Sequence, residues 1–246
     1  MSVSIKENKE LSKDDLVKKM FDLGAHFGYA RESRHPSTKP FLFGLKNKTV
    51  IVDLEKTADS LKVAEDFARE LGQAQKKIIF VGTKKEASYP VEEAALAADL
   101  PYVIERWIGG TLTNFKEIRQ RIDRLVDLKD QETKGELVKY TKKERGVIAK
   151  EVADLERYFS SLINLTKLPA AMLVIDPKKE AIAVAEAKRC GLPVIALANS
   201  DCNITDIDYP IIANDAQVKV IKFFAEAIAN AYLAGLKEAK ENEIHA

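Results

Sequence analysis

Cysteine is almost missing from this sequence: Cys190 and Cys202 are the only two in 246 residues. Two are too few to staple a chain of this length, and they lack the C-x-x-C spacing of a redox pair or zinc ribbon. A reducing cytoplasm is the simplest setting. Histidine is nearly as scarce, with only His26, His35 and His245, so material for a triad or a metal site is thin. None of the eleven glycines is followed by lysine and no two stand as G-x-G, which removes the P-loop and the dinucleotide fingerprint together. No G-x-S-x-G elbow is present. Apolar runs such as AMLVID and PVIALA reach about five residues, far short of the ~20 that cross a bilayer. The opening MSVSIKENKE has neither an apolar h-region nor an Arg-rich, acid-poor composition, so no signal or transit peptide is expected there. These absences leave no catalytic constellation, and no cofactor, metal, small-molecule substrate or membrane partner is expected.

What is present is a pattern of strands and helices. Runs of β-branched residues lie at 49–54 (TVIVDL), 77–82 (KIIFVG), 171–176 (AMLVID) and 193–199 (PVIALAN), with a shorter YPII at 209–212. They are continuous instead of alternating, as expected for parallel strands buried on both faces. Between them Leu61, Ala64, Phe67, Ala68 and Leu71 share one helix face that stops at Gly72. A second helix follows FVGTKKEAS, where Pro90 predicts a start near Ser88. A third separates VID from PVIALA, and a last one runs from NDAQ to about Lys240. Alternating strands and helices predict an α/β fold with a three-layer, doubly wound sheet of about five parallel strands.

Residues 112–165 interrupt that rhythm. Phe115, Ile118, Ile122 and Leu125 recur at helical spacing behind Asn114 and Glu117, a pair resembling a capping box. Thr141 and Glu144 make a second such pair, ahead of Ile148, Val152, Leu155, Phe159 and Leu162. Two heptad-like seams joined by a link containing Gly135 predict an antiparallel helical hairpin inserted into an α/β domain of residues 1–111 and 166–246.

The net charge of +1 hides an uneven distribution. Residues 1–50 carry ten Lys/Arg against six Asp/Glu, and residues 106–150 twelve against seven; the other two segments are acidic. In GAHFGYARESRHPSTKPFLFGLKNK (24–48) the basic residues Arg31, Arg34, Lys39, Lys46 and Lys48 interleave with Phe27, Tyr29, Phe41 and Phe43. That composition suits phosphate contacts and base stacking, and equally a loop that packs its phenylalanines into the core. The hairpin's outer face, KEIRQRIDR, holds Lys116 and Arg119 and is either an RNA contact or a solvated surface. In RWIGGTLTNF (106–115) the only Trp, Trp107, reads as an anchor at the hairpin root. Gly109 and Gly110 there allow a turn, and Arg106 is the RNA candidate. Two strand-end features offer a competing view. Thr83 and Lys84 in VGTKKEAS could hold a phosphorylated small molecule in a doubly wound enzyme, or simply begin a helix. Asp176 stands where catalytic carboxylates are found, or caps a helix ahead of Pro177.

Five blocks decide between these views: GAHFG (24–28), KPFLFGLKNKTVIVDLEKT (39–57), IIFVGTKKEA (78–87), RWIGGTLTNF (106–115) and LPAAMLVIDPKKEAIAVAEAKRCGLPVIAL (168–197). In this order, and over about Leu16 to Leu236, they resemble the universal family of the second ribosomal protein of the small subunit, in its bacterial form. The chain departs from the family pattern at Tyr29, at HPSTK (35–39), at Ala170 and at ANSDCNI (198–204). The resemblance implies a flavodoxin-like sheet with a protruding hairpin and a structural, non-catalytic place in the small ribosomal subunit of the cytoplasm. It further implies contact with small-subunit rRNA near the head–body junction and neighbouring ribosomal proteins as partners. Among them is the large messenger-capturing first protein of the subunit, which it helps to dock. With the charge distribution, the candidate rRNA contacts are Arg31, Arg34, Lys39, Lys46, Lys48, Arg106, Lys116 and Arg119.

Overall fold

Local signals set the N-terminal elements of the computed structural model, which describes residues 12–245. The reading of MSVSIKENKE lies outside the described residues. Helix α1 (Lys13–Asp22) opens on Ser12, whose side chain accepts the Asp15 amide, with Asp14 and Asp15 in its first turn. Strands β1 (Phe27–Ala30), β2 (Leu42–Lys46) and β3 (Thr49–Val52) then make a small antiparallel sheet in the order β1-β3-β2. TVIV thus differs from its expected place in the parallel sheet. Asn47 and Lys48 both adopt left-handed backbone (φ 50° and 66°), the two-residue turn that folds β3 back along β2. Its burial alternates accordingly: Val50 and Val52 face inward, while Thr49 and Ile51 are half-buried.

The remaining strands form the parallel sheet. Helix α2 (Leu54–Gln73), capped by Asp53, leads to β4 (Ile78–Val81), and α3 (Lys85–Ala97) to β5 (Tyr102–Val103). Beyond the hairpin come β6 (Ala171–Ile175), α6 (Ala181–Arg189), β7 (Val194–Ala198), β8 (Tyr209–Ile212) and α7 (Val218–His245); the hairpin itself is α4 (Phe115–Thr133) and α5 (Lys142–Phe159). The order is β5-β4-β6-β7-β8, every neighbouring pair parallel. Strands β4, β6 and β7 are buried along their whole length, which is why they read as unbroken apolar runs. Edge strand β5 has only two residues and gave no such run. Helix α3 starts three residues before the expected Ser88, because the Lys84 carbonyl accepts the Ala87 and Ser88 amides. Pro90 therefore sits in its second turn.

The three layers follow from strand alternation. Ile78, Phe80, Leu173, Ile175, Ile195 and Leu197 face α2, α3 and α7. Ile79, Val81, Met172, Val174 and Ala196 face α6, Trp107 and the hairpin root. Helices α2 and α7 cross at backbone contact. A Cβ on Gly72 would lie 2.2 Å from the Tyr232 carbonyl oxygen, and one on Gly235 would lie 2.0 Å from that of Arg69. Only glycine permits this approach.

The hairpin seam divides in two. Ile118, Ile122, Phe159 and Leu162 join the core of the parallel sheet. Farther out, Leu125, Leu128 and Val152 form a separate small cluster. The Thr141–Glu144 capping box closes as expected. The Asn114–Glu117 pair does not, because Asn114 makes no side-chain cap bond and the turn ahead of α4 is held by Gly110 O accepting the Asn114 amide.

Candidate nucleic-acid interface

The basic N-terminal segment is pinned by its backbone and by small polar groups. The Tyr29 amide donates to the Ser200 hydroxyl (2.9 Å), and the Ser200 carbonyl accepts the His35 amide (2.9 Å) and the Thr38 hydroxyl (3.0 Å). The Arg31 amide donates to the Lys48 carbonyl (2.9 Å), which brings those two residues to one end of the antiparallel sheet. The charged side chains are left outside: Arg31, Arg34, Lys39, Lys46 and Lys48 are all exposed. Among the described residues none of the five is ion-paired, whereas Lys13, Lys56, Arg69 and Lys84 are. The aromatics divide between the two sequence readings. Phe41 packs on the second core and Tyr29 is half-buried, while Phe27 and Phe43 are exposed.

The RWIGG corner is organised by a residue that reading the sequence leaves without a role. Glu186, almost fully buried on α6, accepts from Trp107 Nε1 (3.3 Å), Gly110 N (2.7 Å), Leu112 N (3.0 Å), and Thr113 N and Oγ1 (both 3.3 Å). Burial raises the cost of its charge, but the amides of Gly110, Leu112 and Thr113 outweigh that and hold the carboxyl below its ordinary value. Trp107 is buried and its indole N–H is engaged. Of the two glycines, Gly110 has the left-handed backbone (φ 93°) that requires glycine. A Cβ on Gly109 would meet nothing nearer than 3.9 Å, so nothing local demands glycine there. The signal for Glu186 lay on the helix wheel, where a carboxylate shares the inward face with Ala183 and Ala187.

Arg106 is exposed beside that corner, on a cleft of about 180 Å³ with Glu105, Glu156 and Arg157. Lys116 is exposed on α4. Arg119 is engaged internally. Its guanidinium pairs with Asp123 (2.7 Å) and donates to the carbonyls of Ile163 (2.8 Å) and Leu165 (3.2 Å), tying α4 to the chain after α5.

The crevice of the doubly wound sheet lies between the ends of β4 and β6, where strand order reverses. Here it is filled by the chain itself. Lys84 Nζ lies 3.1 Å from the buried Asp215 and 3.4 Å from Asp176, and donates to Tyr29 Oη at 3.3 Å. Burial disfavours the ammonium, but the carboxylates of Asp215 and Asp176 prevail and raise its pKa above the usual lysine value. Asn199 Nδ2 donates to Asp215 Oδ1 at 2.9 Å. The Thr83 amide and hydroxyl both donate to buried Glu180. The alternative of a phosphorylated ligand at Thr83 and Lys84 is corrected accordingly: both polar groups already have partners. Asp176 differs from its expected role too. Helix α6 starts at Ala181, and Asp176 caps only the turn before it (Lys179 N, 3.2 Å).

Comparisons with known proteins bear on this architecture. The family model described as Ribosomal protein S2 matches residues 20–235. The chain is 40% identical over 222 residues to the small ribosomal subunit protein uS2 of Bdellovibrio bacteriovorus, covering 90% of this chain and 71% of that one. Identity to the uS2 protein of Coprothermobacter proteolyticus is 39% over 219 residues (89% and 82% covered), and to that of Dehalococcoides mccartyi 38% over 228 residues (93% of each).

Proposed function

The chain belongs to the ribosomal protein S2 family, and from that membership we propose that it holds small-subunit rRNA near the head–body junction through Arg31, Arg34, Lys39, Lys46, Lys48, Arg106 and Lys116. As a family member it is a structural, non-enzymatic component of the small ribosomal subunit. The observation that carries the rRNA reading is the set of five exposed, unpaired cations at 31–48 on a backbone fixed by Ser200. Cations without internal partners neutralise phosphates without first breaking an ion pair, and a fixed backbone lowers the ordering cost of binding. Arg119 serves this reading by holding α4 in place.

The acidic excess of residues 51–105 and 151–246 offers protein neighbours a surface apart from the RNA contacts, and the family resemblance names the large messenger-capturing first protein among them. The division into an α/β unit (1–111 and 166–246) and an inserted hairpin (112–165) rests on the separate distal cluster of Leu125, Leu128 and Val152. A bacterial ribosomal role makes the chain cytoplasmic.

Sedimentation of a lysate at low and then high salt tests the reading. The chain should travel with the small subunit and leave it as salt rises. Purified chain should bind small-subunit rRNA with a log–log salt slope that falls by about 0.7–0.9 for each phosphate contact removed, as in Lys46→Gln or Lys48→Gln. Migration as free protein at low salt overturns it.

A further inference from the structure

We propose that the outward face of the β1–β3–β2 sheet is a stacking surface for unpaired RNA bases. The inference rests on the rRNA-contact reading and names the part of the nucleic acid that this face takes.

Register defines the face. Phe27 and Gly44 both stand opposite Ile51, and Lys46 stands opposite Thr49, so these five residues lie on the side away from buried Val50 and Val52. A Cβ built on Gly44 would meet nothing within 4 Å, so the middle of β2 is open above its backbone. Phe43 occupies the irregularity between Leu42 and Gly44 and is 81% exposed, more than any other large apolar side chain described. Packing therefore gives no account of its aromatic ring. Phe27, 48% exposed, continues into a column of rings: His26 lies 4.0 Å from it and Phe21 stacks on His26 at 4.4 Å with planes 12° apart.

Charge selects the occupant. Between residues 24 and 48 Glu32 is the only acidic residue, against five exposed cations. Lys46 is close enough to His26 that its charge, after burial, helps to lower the imidazole pKa. A polyanion is therefore drawn to this rim. Duplex RNA presents phosphates and grooves but hides base faces, whereas an unpaired strand offers base faces to aromatic rings and phosphates to flanking cations together. Open sheet, exposed rings and basic rim match the second kind of RNA.

The test uses the full chain and three probes. One is a short single-stranded RNA of alternating adenosine and cytidine. The second is the same strand with abasic spacers in place of nucleosides, and the third is a duplex of equal length. The base-bearing strand should bind at least about tenfold more tightly than the abasic one. Phe43→Ala should weaken the base-bearing strand by at least about fivefold, leave the abasic strand unchanged, and be restored by Phe43→Trp. Because Phe43 is exposed, the thermal midpoint should not move, which separates loss of contact from loss of fold. Lys46→Gln with Lys48→Gln should weaken both strands. Equal, salt-sensitive binding of base-bearing and abasic strands, with no effect of Phe43→Ala, overturns the stacking inference and leaves the phosphate reading standing. Absence of binding to all three probes at low salt overturns both. A Phe43→Ala chain that binds every probe like the parent but fails to enter reconstituted subunits assigns the face to a protein neighbour, and the proposal falls.

Discussion

Replacing Glu186 by Gln removes one carboxylate oxygen from a site where five donor groups converge, with almost no change in volume. The amide nitrogen must take the place of either Oε1, facing Trp107 Nε1 and Gly110 N, or Oε2, facing Leu112 N and both donors of Thr113. In either orientation at least one buried donor, Trp107 Nε1 or Leu112 N, meets another donor. Leaving a buried donor unsatisfied costs about 1–3 kcal/mol, and bonds to a charged acceptor are worth more than neutral ones. Gly110 and Thr113 are open enough to turn to water, so the expected loss is about 2–4 kcal/mol for Gln and somewhat more for Ala. Trp107 is the only tryptophan, so its emission during urea unfolding reports on this corner alone, while far-UV circular dichroism reports on the whole fold. The corner should loosen at lower urea than the sheet. Acid gives an independent sign. A carboxyl held below its usual value of 4.5 stabilises the fold fully above that pH and withdraws its contribution as pH falls through the lower folded value. Glu186→Gln should therefore flatten the stability profile below about pH 4.5. A loss under about 0.5 kcal/mol, with an unshifted emission maximum, would refute the clamp reasoning.

Lys84→Met strands Asp215 and Asp176 without their cation and should cost about 3–5 kcal/mol, part of which Asp215→Asn in the same chain recovers. Because the Lys84 pKa is raised above 10.5, its contribution is full below that pH and is lost as pH climbs through the folded value, so the variant's alkaline limb should be flatter. Gly235→Ala forces α2 and α7 apart, since its Cβ would stand 2.0 Å from the Arg69 carbonyl oxygen, and should lose at least about 2 kcal/mol in urea titration. Gly146→Ala, inside α5 with nothing within 4 Å, should instead gain about 0.5–1 kcal/mol. Leu128→Asp disrupts only the distal seam, so hydrogen exchange should quicken in the outer halves of α4 and α5 while β4, β6 and β7 keep their protection.

Residues whose role is set by their own neighbours were legible in the sequence. Strands β4, β6 and β7 showed as apolar runs because both their faces are covered. The Thr141–Glu144 box showed because both halves lie within one turn. Misplacement came where local composition and long-range pairing diverge. TVIV has the β-branched content of a central strand, but the Asn47–Lys48 turn, which lacks the glycine that marks most such turns, sends it into the smaller sheet. Asn114 and Glu117 have box spacing, yet the Gly110 carbonyl reaches the Asn114 amide instead. Among the site residues, the cations at 31–48 are exposed, whereas the internal bonds of Arg119 depend on carbonyls 44 and 46 residues away. Glu186, Ser200 and Asp215 meet Trp107, Tyr29 and Lys84 across 79, 171 and 131 residues, so no short window of sequence contains both halves of those contacts.

The crevice at the strand ends explains how a fold suited to ligand binding serves a structural part. In an open α/β sheet the loops after the central strands converge at the switch point, and whatever polar groups they carry become neighbours. In this chain those groups are complementary to one another: Lys84 from the β4 end, Asp176 from β6, Asn199 and Ser200 from β7, and Asp215 after β8. They satisfy their own hydrogen bonds and reach outward to Tyr29, His35 and Thr38. What would be a ligand cradle becomes the joint that fixes the basic segment on the sheet. Topology supplies the convergence, and the sequence decides whether a ligand or the chain's own N-terminal segment fills it. Loosening that joint should therefore disturb the exposed cationic side chains at 31–48 although none of them takes part in it.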